Sequence, residues 1–210
     1  MKKIDPENWE GREMFAQFSA MECPFFSVTT RYDATALLEK AKKMDVSFSS
    51  VCLFAVSKAL NEVEAFRYRV LEGGDIVLYD KIDTVCLAMR EDRAITAVRV
   101  PFQTDYVAFE EARRQEEAKT LALPEPYFYR GYERDVFFIS IVPWLAFTGM
   151  THPVSLGSRY DPIVRMTLGK YESSDGRATM PVDIHSHHGF VDGYRHSLFF
   201  EAMGRSAQNI

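Results

Sequence analysis

The sequence lacks the features that mark nucleic-acid-binding and membrane proteins. It has no dense run of Lys and Arg, and its formal net charge is −5, so it offers no electrostatic footprint for nucleic acid or an anionic membrane surface. Its most apolar stretch, residues 137–147, is about half of the ~20 residues that a membrane-spanning helix needs, and Pro143 interrupts it. We therefore expect neither nucleic acid nor a membrane as a partner.

Cysteine is also scarce. Cys23, Cys52 and Cys86 are an odd number, and their spacing matches neither a zinc site nor a disulfide framework. We expect reduced thiols packed as small apolar side chains. Residues 1–20 mix charged and aromatic side chains without the apolar core of a secretory signal. Both observations predict a cytoplasmic location.

What the chain does contain is enough apolar material for one core. It has 210 residues, of which 47% are hydrophobic and 13% aromatic, and it shows no internal repeat or long linker. This length suits one well-buried core and is short for two. We predict a single domain over residues 1–210 with an α/β fold, a two-layer sandwich in which helices cover a large mixed sheet.

Hydrophobic periodicity predicts the elements of that sandwich. Asp33 is a candidate N-cap for a first helix, and Gly73-Gly74-Asp75 predicts a hairpin turn after a strand that ends near Val70. The predicted helices cover residues 34–43, 51–63 (beginning near Ser49 or Ser50), 106–118 and 194–203. The further predicted strands cover residues 76–79, 85–89, 94–100, 136–141, 145–148, 163–170 and 179–185.

The stretch from His187 to Gly193 is the best candidate for a site of chemistry. It contains two imidazoles, one carboxylate and a turn-forming glycine within seven residues. A neutral imidazole can take a proton from a hydroxyl and return it near physiological pH. Asp192 could fix the local geometry by pairing with a cation, and Gly193 would permit a sharp entry into a helix. The alternative is a strand end with solvated histidines and a helix cap, and the motif alone does not decide between them.

Further motifs occur in order along the chain. They are Trp9, Arg12-Glu13 with Phe15, Phe66-Arg67, the block Phe138 to Trp144, the block Thr167 to Tyr171, Met180-Pro181, and His188-x-x-x-Asp192-Gly193. Together they resemble the chloramphenicol acetyltransferase family over nearly the whole length. The last motif also occurs in dihydrolipoyl acyltransferase cores, plant alcohol acyltransferases and condensation domains. A single lobe with one such motif resembles a homotrimer, in which the catalytic histidine of one subunit faces a pocket built largely by its neighbour.

The resemblance implies a role for each matching residue. His188 would be the general base that takes the proton of an acceptor hydroxyl. Ser140 would donate to the oxyanion, with Thr167 supporting it through an ordered water. Asp192 would hold the corner between strand and helix through an ion pair. Trp144 and Tyr171 would line the channel for acetyl-coenzyme A, the expected co-substrate, although either could equally belong to the core.

Several positions depart from the antibiotic-resistance enzymes that this family includes. The arginine that pairs with the motif aspartate there aligns with Gly11, which leaves Arg12 as the candidate partner of Asp192. Phe18 occupies the place of a tyrosine whose hydroxyl holds the drug, and Thr96 falls near a pocket phenylalanine. Ser47 and Ser49 replace a lysine and a tyrosine near the coenzyme entrance. We therefore expect a small alcohol as acceptor, with chloramphenicol as the leading named substrate.

Other interpretations remain open. The acceptor could be another small alcohol, or the chain could be a catalytically idle trimeric ligand-binding member of the family. A Ser-His-Asp hydrolase is disfavoured because no G-x-S-x-G elbow occurs. Asp183, His185 and His187 could in principle hold zinc, but no fourth ligand follows at a recognisable spacing. We expect no metal.

Overall fold

The elements of the fold follow the chain in a mixed α/β order. A computed structural model describes residues 1–127, 134–154, 163–208 and 210. The helices of this part are α1 (Arg12–Ser19), α2 (Thr35–Met44), α3 (Phe48–Glu62), α4 (Tyr106–Leu121) and α5 (Gly193–Gln208). The strands are β1 (Lys2–Lys3), β2 (Phe25–Asp33), β3 (Tyr68–Val70), β4 (Ile76–Leu78), β5 (Asp83–Met89), β6 (Ile95–Val100), β7 (Val136–Val142), β8 (Arg165–Gly169), β9 (Glu172–Ser174) and β10 (Arg177–His187).

A large mixed sheet is the framework of the described chain. Its strand order is β2-β10-β8-β7-β5-β6, and β9 pairs with β10 beside it. Strand β7 runs parallel to both β5 and β8, whereas the other pairs are antiparallel. A small antiparallel sheet contains β1, β4 and β3 in that order. The mixed α/β class that the sequence predicts is confirmed.

The two faces of the large sheet differ. Successive side chains of a strand point to opposite faces, and Ile139, Met166 and Ile184 join the buried core beneath the helices. Ser140, Thr167 and Asp183, which are in register with one another across β7, β8 and β10, lie on the other face. We call this second side the open face. It carries the polar residues that the sequence nominates for chemistry.

Helix α3 forms the centre of the helical layer. It is apolar on nearly every side, and ten of its residues, from Ser50 to Leu60, are buried. It packs against α2, α4, α5 and β7, so burial on all sides explains its continuous apolar character. The predicted position of this helix against the sheet is confirmed. No helix in the described ranges has the length and apolar character needed to cross a bilayer.

The predicted order differs from the structure at several elements: α1, β1 and β9 were not predicted, and two further differences bear on the site. Residues 145–148 are not a strand, because Pro143 ends β7 and the chain turns, with the Leu145 N–H donating to the Val142 carbonyl at 3.3 Å. Strand β2 was not predicted, yet it pairs with β10 along its whole length from Phe25 to Asp33. This pairing brings the start of β2 beside the histidine motif.

Candidate active site

The loop from β10 to α5 is held by close backbone contacts. The His188 N–H donates to the Pro24 carbonyl at 2.7 Å, just before β2 begins. The Gly189 N–H donates to Nδ1 of His187 at 3.0 Å. A Cβ at Gly189 would lie 2.9 Å from the His187 ring and 3.0 Å from Cα of Phe15. Glycine is therefore needed here because two neighbours approach the backbone closely.

Only one ring nitrogen of His188, Nε2, is available to accept a proton. Its Nδ1 lies 3.1 Å from the Val191 carbonyl oxygen, and because a carbonyl can only accept, Nδ1 carries the proton and Nε2 keeps its lone pair in the neutral ring. The imidazole is stacked between two phenylalanines, with ring centroids 3.9 Å away at Phe18 and 4.3 Å away at Phe26. The tautomer and the ring plane that a general base needs are both fixed.

Asp192 holds the start of α5. Its Oδ1 accepts the Arg195 N–H at 2.8 Å and its Oδ2 accepts Nη1 of Arg195 at 2.6 Å, so the side chain is an N-cap and an ion-pair partner at once. The predicted pair of Arg12 and Asp192 is wrong, because Arg12 donates to the Glu7 carbonyl at 3.4 Å. A side chain at Gly11 would require the Trp9 ring to shift, since a Cβ there would lie 2.3 Å from that ring.

Ser140 lines a cavity on the open face. The cavity has a volume of about 300 Å³, and mostly apolar side chains surround it, with Ser140, His152 and Arg165 as polar exceptions. We call it the open-face cavity. Thr167 is in register with Ser140 and 2% exposed, on the same face one strand away. The structure therefore brings Ser140 and Thr167 together, as the proposed oxyanion role requires.

His188 and Ser140 are not brought together within one chain. Ser140 is two strands away from Asp183 through the register of β7, β8 and β10, and His188 follows Asp183 by five residues. With about 4.8 Å between strands and about 3.3 Å per residue, their Cα atoms are roughly 19 Å apart. A base and an oxyanion donor must both lie within hydrogen-bond reach of one reacting group. These two residues of a single chain cannot do so.

A groove runs past the start of α3. Two cavities of about 400 and 330 Å³ share the lining residues Ser47, Ser49, Ile141 and Pro143, and we call the pair the α3 groove. Tyr171 lines one cavity and Trp144 the other, and they are 39% and 66% exposed. The alternative that either residue is core is thereby wrong. Both aromatic faces are accessible to a ligand.

The two predicted acceptor contacts differ in outcome. Phe18 stacks on His188, as described above, so it lies beside the candidate base. Thr96 is wrong as an acceptor contact: it is fully buried, its hydroxyl donates to the Tyr127 carbonyl, and it accepts the Tyr127 N–H. Because side chains alternate along β6, Thr96 faces the helical side, while its neighbours Ile95 and Ala97 line the open-face cavity.

The remaining histidines have structural partners. His185 bonds Ser27 through Nδ1 at 2.8 Å, and Asp183 contacts Thr29 and His152. His196 bonds Ser186 at 3.0 Å, and its burial lowers its pKa to about 4. Among residues 1–127, 134–154, 163–208 and 210, no group of three or more His, Cys, Asp or Glu could hold a metal ion.

Sequence reasoning missed three contributors to the His188 environment. Phe26 lies on the unpredicted strand β2, and Val191 acts through its carbonyl, which no side-chain pattern reports. Arg195 could have been found, because a cation three residues after Asp192 on a helix is a standard ion-pair spacing. The short distance in sequence between Arg195 and Asp192 was the signal that could have predicted this ion pair.

The chain is thus an α/β protein in which helices cover a mixed sheet, with an imidazole after one strand and a serine hydroxyl on another, and the comparisons with known proteins place it among the acyltransferases. The family model for chloramphenicol acetyltransferase matches residues 1–204. The chain therefore belongs to the chloramphenicol acetyltransferase family.

Individual relatives agree with this assignment. The chain is 25% identical to chloramphenicol acetyltransferase of Staphylococcus aureus, with 96% of this chain and 93% of the relative covered. It is 25% identical to chloramphenicol acetyltransferase 2 of Haemophilus influenzae over 99% and 97% of the two chains. A solved chloramphenicol acetyltransferase superposes with a TM-score of 0.88 at 31% identity, over 97% of this chain and 99% of the other.

Proposed function

We propose that this protein transfers an acetyl group from acetyl-coenzyme A to a hydroxyl of a small alcohol. Chloramphenicol is the leading named acceptor, because the curated relatives carry that name. The observation that carries the proposal is the fixed tautomer of His188, whose Nδ1 donates to the Val191 carbonyl and whose Nε2 is the free base. Another small alcohol is the second candidate, since Phe18 lacks the hydroxyl that the resemblance expects.

His188 moves the proton in this proposal. Nε2 takes the proton of the acceptor hydroxyl as its oxygen attacks the thioester carbonyl, and later returns it to the leaving thiolate, so the base ends the cycle neutral. Such general-base catalysis is worth about 10²- to 10⁴-fold in rate. The Phe18 and Phe26 rings hold the plane of the imidazole.

Ser140 stabilises charge in this proposal. Its hydroxyl donates to the oxygen that becomes negative during attack, and Thr167 supports that oxygen through a water. A preorganised donor of this type is worth about 10²- to 10³-fold in kcat. Asp192 takes no part in proton transfer and acts through the position of the His188 loop.

The α3 groove is the candidate binding site for acetyl-coenzyme A. The thioester supplies an activated acetyl group. Trp144 and Tyr171 offer aromatic faces to the long apolar arm of such a ligand, and Lys170 beside Tyr171 offers a positive charge to a phosphate. The start of α3, which leaves backbone N–H groups unpaired, opens onto the same groove. The residues present fit the ligand.

A homotrimer is part of the proposal. A site that needs both His188 and Ser140 cannot form in one chain, where they lie roughly 19 Å apart by strand geometry. In a ring of subunits, His188 of one copy can face the open-face cavity of the next. We also propose a cytoplasmic location, where free thiols such as Cys52 and Cys86 stay reduced.

Thiol release from acetyl-coenzyme A tests the function. We expect release that depends on chloramphenicol or a related small alcohol, and we expect His188→Ala to lower kcat by at least about 10³-fold while coenzyme binding is kept. His188→Gln is the matched control for the lost side-chain volume: its amide keeps a similar size and polarity but cannot act as a base, so it should also be inactive. Coenzyme binding without release for any alcohol would instead favour an idle ligand-binding protein.

A further inference from the structure

Asp183 is a buried carboxylate on the open face with only two described partners. It has no exposed surface, and its oxygens accept from the Thr29 hydroxyl at 2.6 Å and from Nε2 of His152 at 2.9 Å. A buried carboxylate is costly unless donors satisfy it. Because an ionised carboxylate can only accept, the His152 proton that it binds must be on Nε2.

His152 connects this carboxylate to the open-face cavity. Its ring lines the same cavity as Ser140, and its side chain keeps 10% of its surface exposed. The described part of the chain offers no further hydrogen-bond partner to His152. With Nε2–H given to Asp183, the neutral ring keeps Nδ1 as its remaining acceptor.

The other residues that line the open-face cavity determine which ligands Nδ1 of His152 can select. Apolar side chains surround the cavity, among them Leu87, Ala97 and Phe138, and the Arg165 guanidinium donates to the Ile163 carbonyl and lies over the Phe138 ring. A ligand with a largely apolar body therefore fits, provided that it offers a donor to Nδ1. A ligand that lacks the donor would leave Nδ1 desolvated and unpaired.

We propose that His152, oriented by Asp183, is a specificity-determining residue that selects acceptor alcohols with a second hydroxyl beside the hydroxyl that is acetylated. This inference rests on the proposed function. Asp183 is a positioning residue, because it does not contact the acceptor alcohol and acts only by fixing the tautomer of His152. Sites that bond a ligand hydroxyl reject analogues without it far more strongly than sites that sense only size.

Two matched pairs of alcohols test the proposal. They are chloramphenicol with its deoxy derivative that keeps only the primary hydroxyl, and a phenyl-substituted propanediol with the propanol that lacks its second hydroxyl. In the unchanged protein we expect kcat/KM to favour the member with two hydroxyls in at least one pair by about 10- to 100-fold. We expect His152→Leu to abolish that ratio by raising KM for the member with two hydroxyls, and to cause no loss for the monoalcohol, because no unpaired acceptor is then left in the cavity.

Further variants separate recognition from structure. His152→Gln, whose amide oxygen can accept in place of Nδ1, should restore part of the ratio. Asp183→Asn should reduce the ratio like His152→Leu, and combining the two should add nothing, because they act as one unit. Ser27→Ala is the matched control: it removes a bond to His185 on the same face and should keep the ratio. Equal losses for both alcohols in His152→Leu, or an unchanged ratio, would overturn the proposal.

Failure of the proposed function can be told apart from failure of this inference. If the unchanged protein releases no thiol with any alcohol, the acetyltransferase assignment fails. Calorimetric binding of the same pairs to the unchanged protein and to His152→Leu still tests His152. A preference for the second hydroxyl that His152→Leu removes supports the inference, and binding that is indifferent to the hydroxyl or to the substitution overturns it.

Discussion

His188 depends on neighbours that carry no charge. The Val191 carbonyl fixes its tautomer, and the Phe18 and Phe26 rings fix its plane. None of the three exchanges a proton, yet each controls where the lone pair of Nε2 points. The basicity of a candidate general base is useful only when that direction matches the hydroxyl to be deprotonated.

Removing one of these rings should therefore lower the rate. We expect Phe18→Ala to reduce kcat by about 10- to 100-fold, because an imidazole that is free to tilt samples misaligned geometries. Phe18→Tyr keeps the stacked ring and should retain kcat within a few-fold. Steady-state thiol release with saturating acetyl-coenzyme A measures both variants, and an undiminished kcat in Phe18→Ala would show that the stack does not position His188.

His196, whose ring centroid lies 4.9 Å from that of Phe26, makes stability depend on pH. Burial lowers its pKa from 6.5 to about 4, so between these values the unfolded chain binds a proton that the folded chain does not. The free energy of unfolding should fall as pH drops from 6.5 to about 4, by about 3 kcal/mol at most. Above pH 6.5 the imidazole is neutral in both the folded and the unfolded chain, so none of this free energy of unfolding is lost.

Urea unfolding across that range checks the effect. We expect His196→Gln, which keeps a polar partner for Ser186, to remove most of the slope between pH 6.5 and 4. At pH 7 and above, the difference between the variant and the unchanged protein should stay constant. The same slope in both proteins would mean that other groups cause the acid sensitivity.

Helix α5 depends on one carboxylate at its start. Asp192 caps the third N–H of the helix and pairs with Arg195. We expect Asp192→Ala to lower the free energy of unfolding by about 1–2 kcal/mol, and Asp192→Ser, which keeps a cap, to cost less. Chemical denaturation at neutral pH measures the difference.

A double-mutant cycle separates the two candidate partners of Asp192. We expect a coupling of about 0.2–1 kcal/mol between Asp192→Ala and Arg195→Ala, and essentially none between Asp192→Ala and Arg12→Ala. A clear coupling to Arg12 with none to Arg195 would restore the pair that the sequence suggested.

The elements also show which structures the sequence could predict. Helix α3 is a long apolar segment, and strands β5 and β6 are rich in apolar residues; the structure confirms all three elements. Strand β2 was missed because its residues, half-buried or exposed, alternate weakly between apolar and polar, although β-branched and aromatic residues offered a signal. The strand predicted over residues 145–148 was wrong. These apolar residues lie in an exposed turn, where Leu145 is 58% exposed, rather than in a buried strand.

In the candidate site, too, some residues could be predicted from the sequence and others could not. His188, Ser140 and Thr167 were predicted from motifs; the structure places Ser140 and Thr167 in register on one face and His188 after the end of β10, and their roles stay predictions. Thr96 could not be judged without knowing which face of β6 it occupies, since a shift of one residue reverses the face. The partner of Asp192 was misassigned because a distant arginine was weighed and the local one was not.

In the whole molecule, the two halves of the proposed chemistry occupy different places. His188 lies where β10 meets α5, and Ser140 lies on β7 two strands away. Rotamer changes move a side-chain tip by a few ångströms, far short of the roughly 19 Å that strand geometry places between these residues. If His188 and Ser140 act on one reacting group, as we propose, the site needs a second copy of the chain.

Mixing inactive subunits tests this directly. His188→Ala and Ser140→Ala should each be nearly inactive alone, but chains unfolded together and refolded as mixed oligomers should regain activity. Each interface draws its histidine from one chain and its serine from the next, so random mixing at equal amounts restores about a quarter of the sites. The His188→Ala, Ser140→Ala double variant mixed with either single variant restores none, and serves as control. If the first mixture also stays inactive although mixed oligomers form, both residues act within one chain, and the site at a subunit interface is wrong.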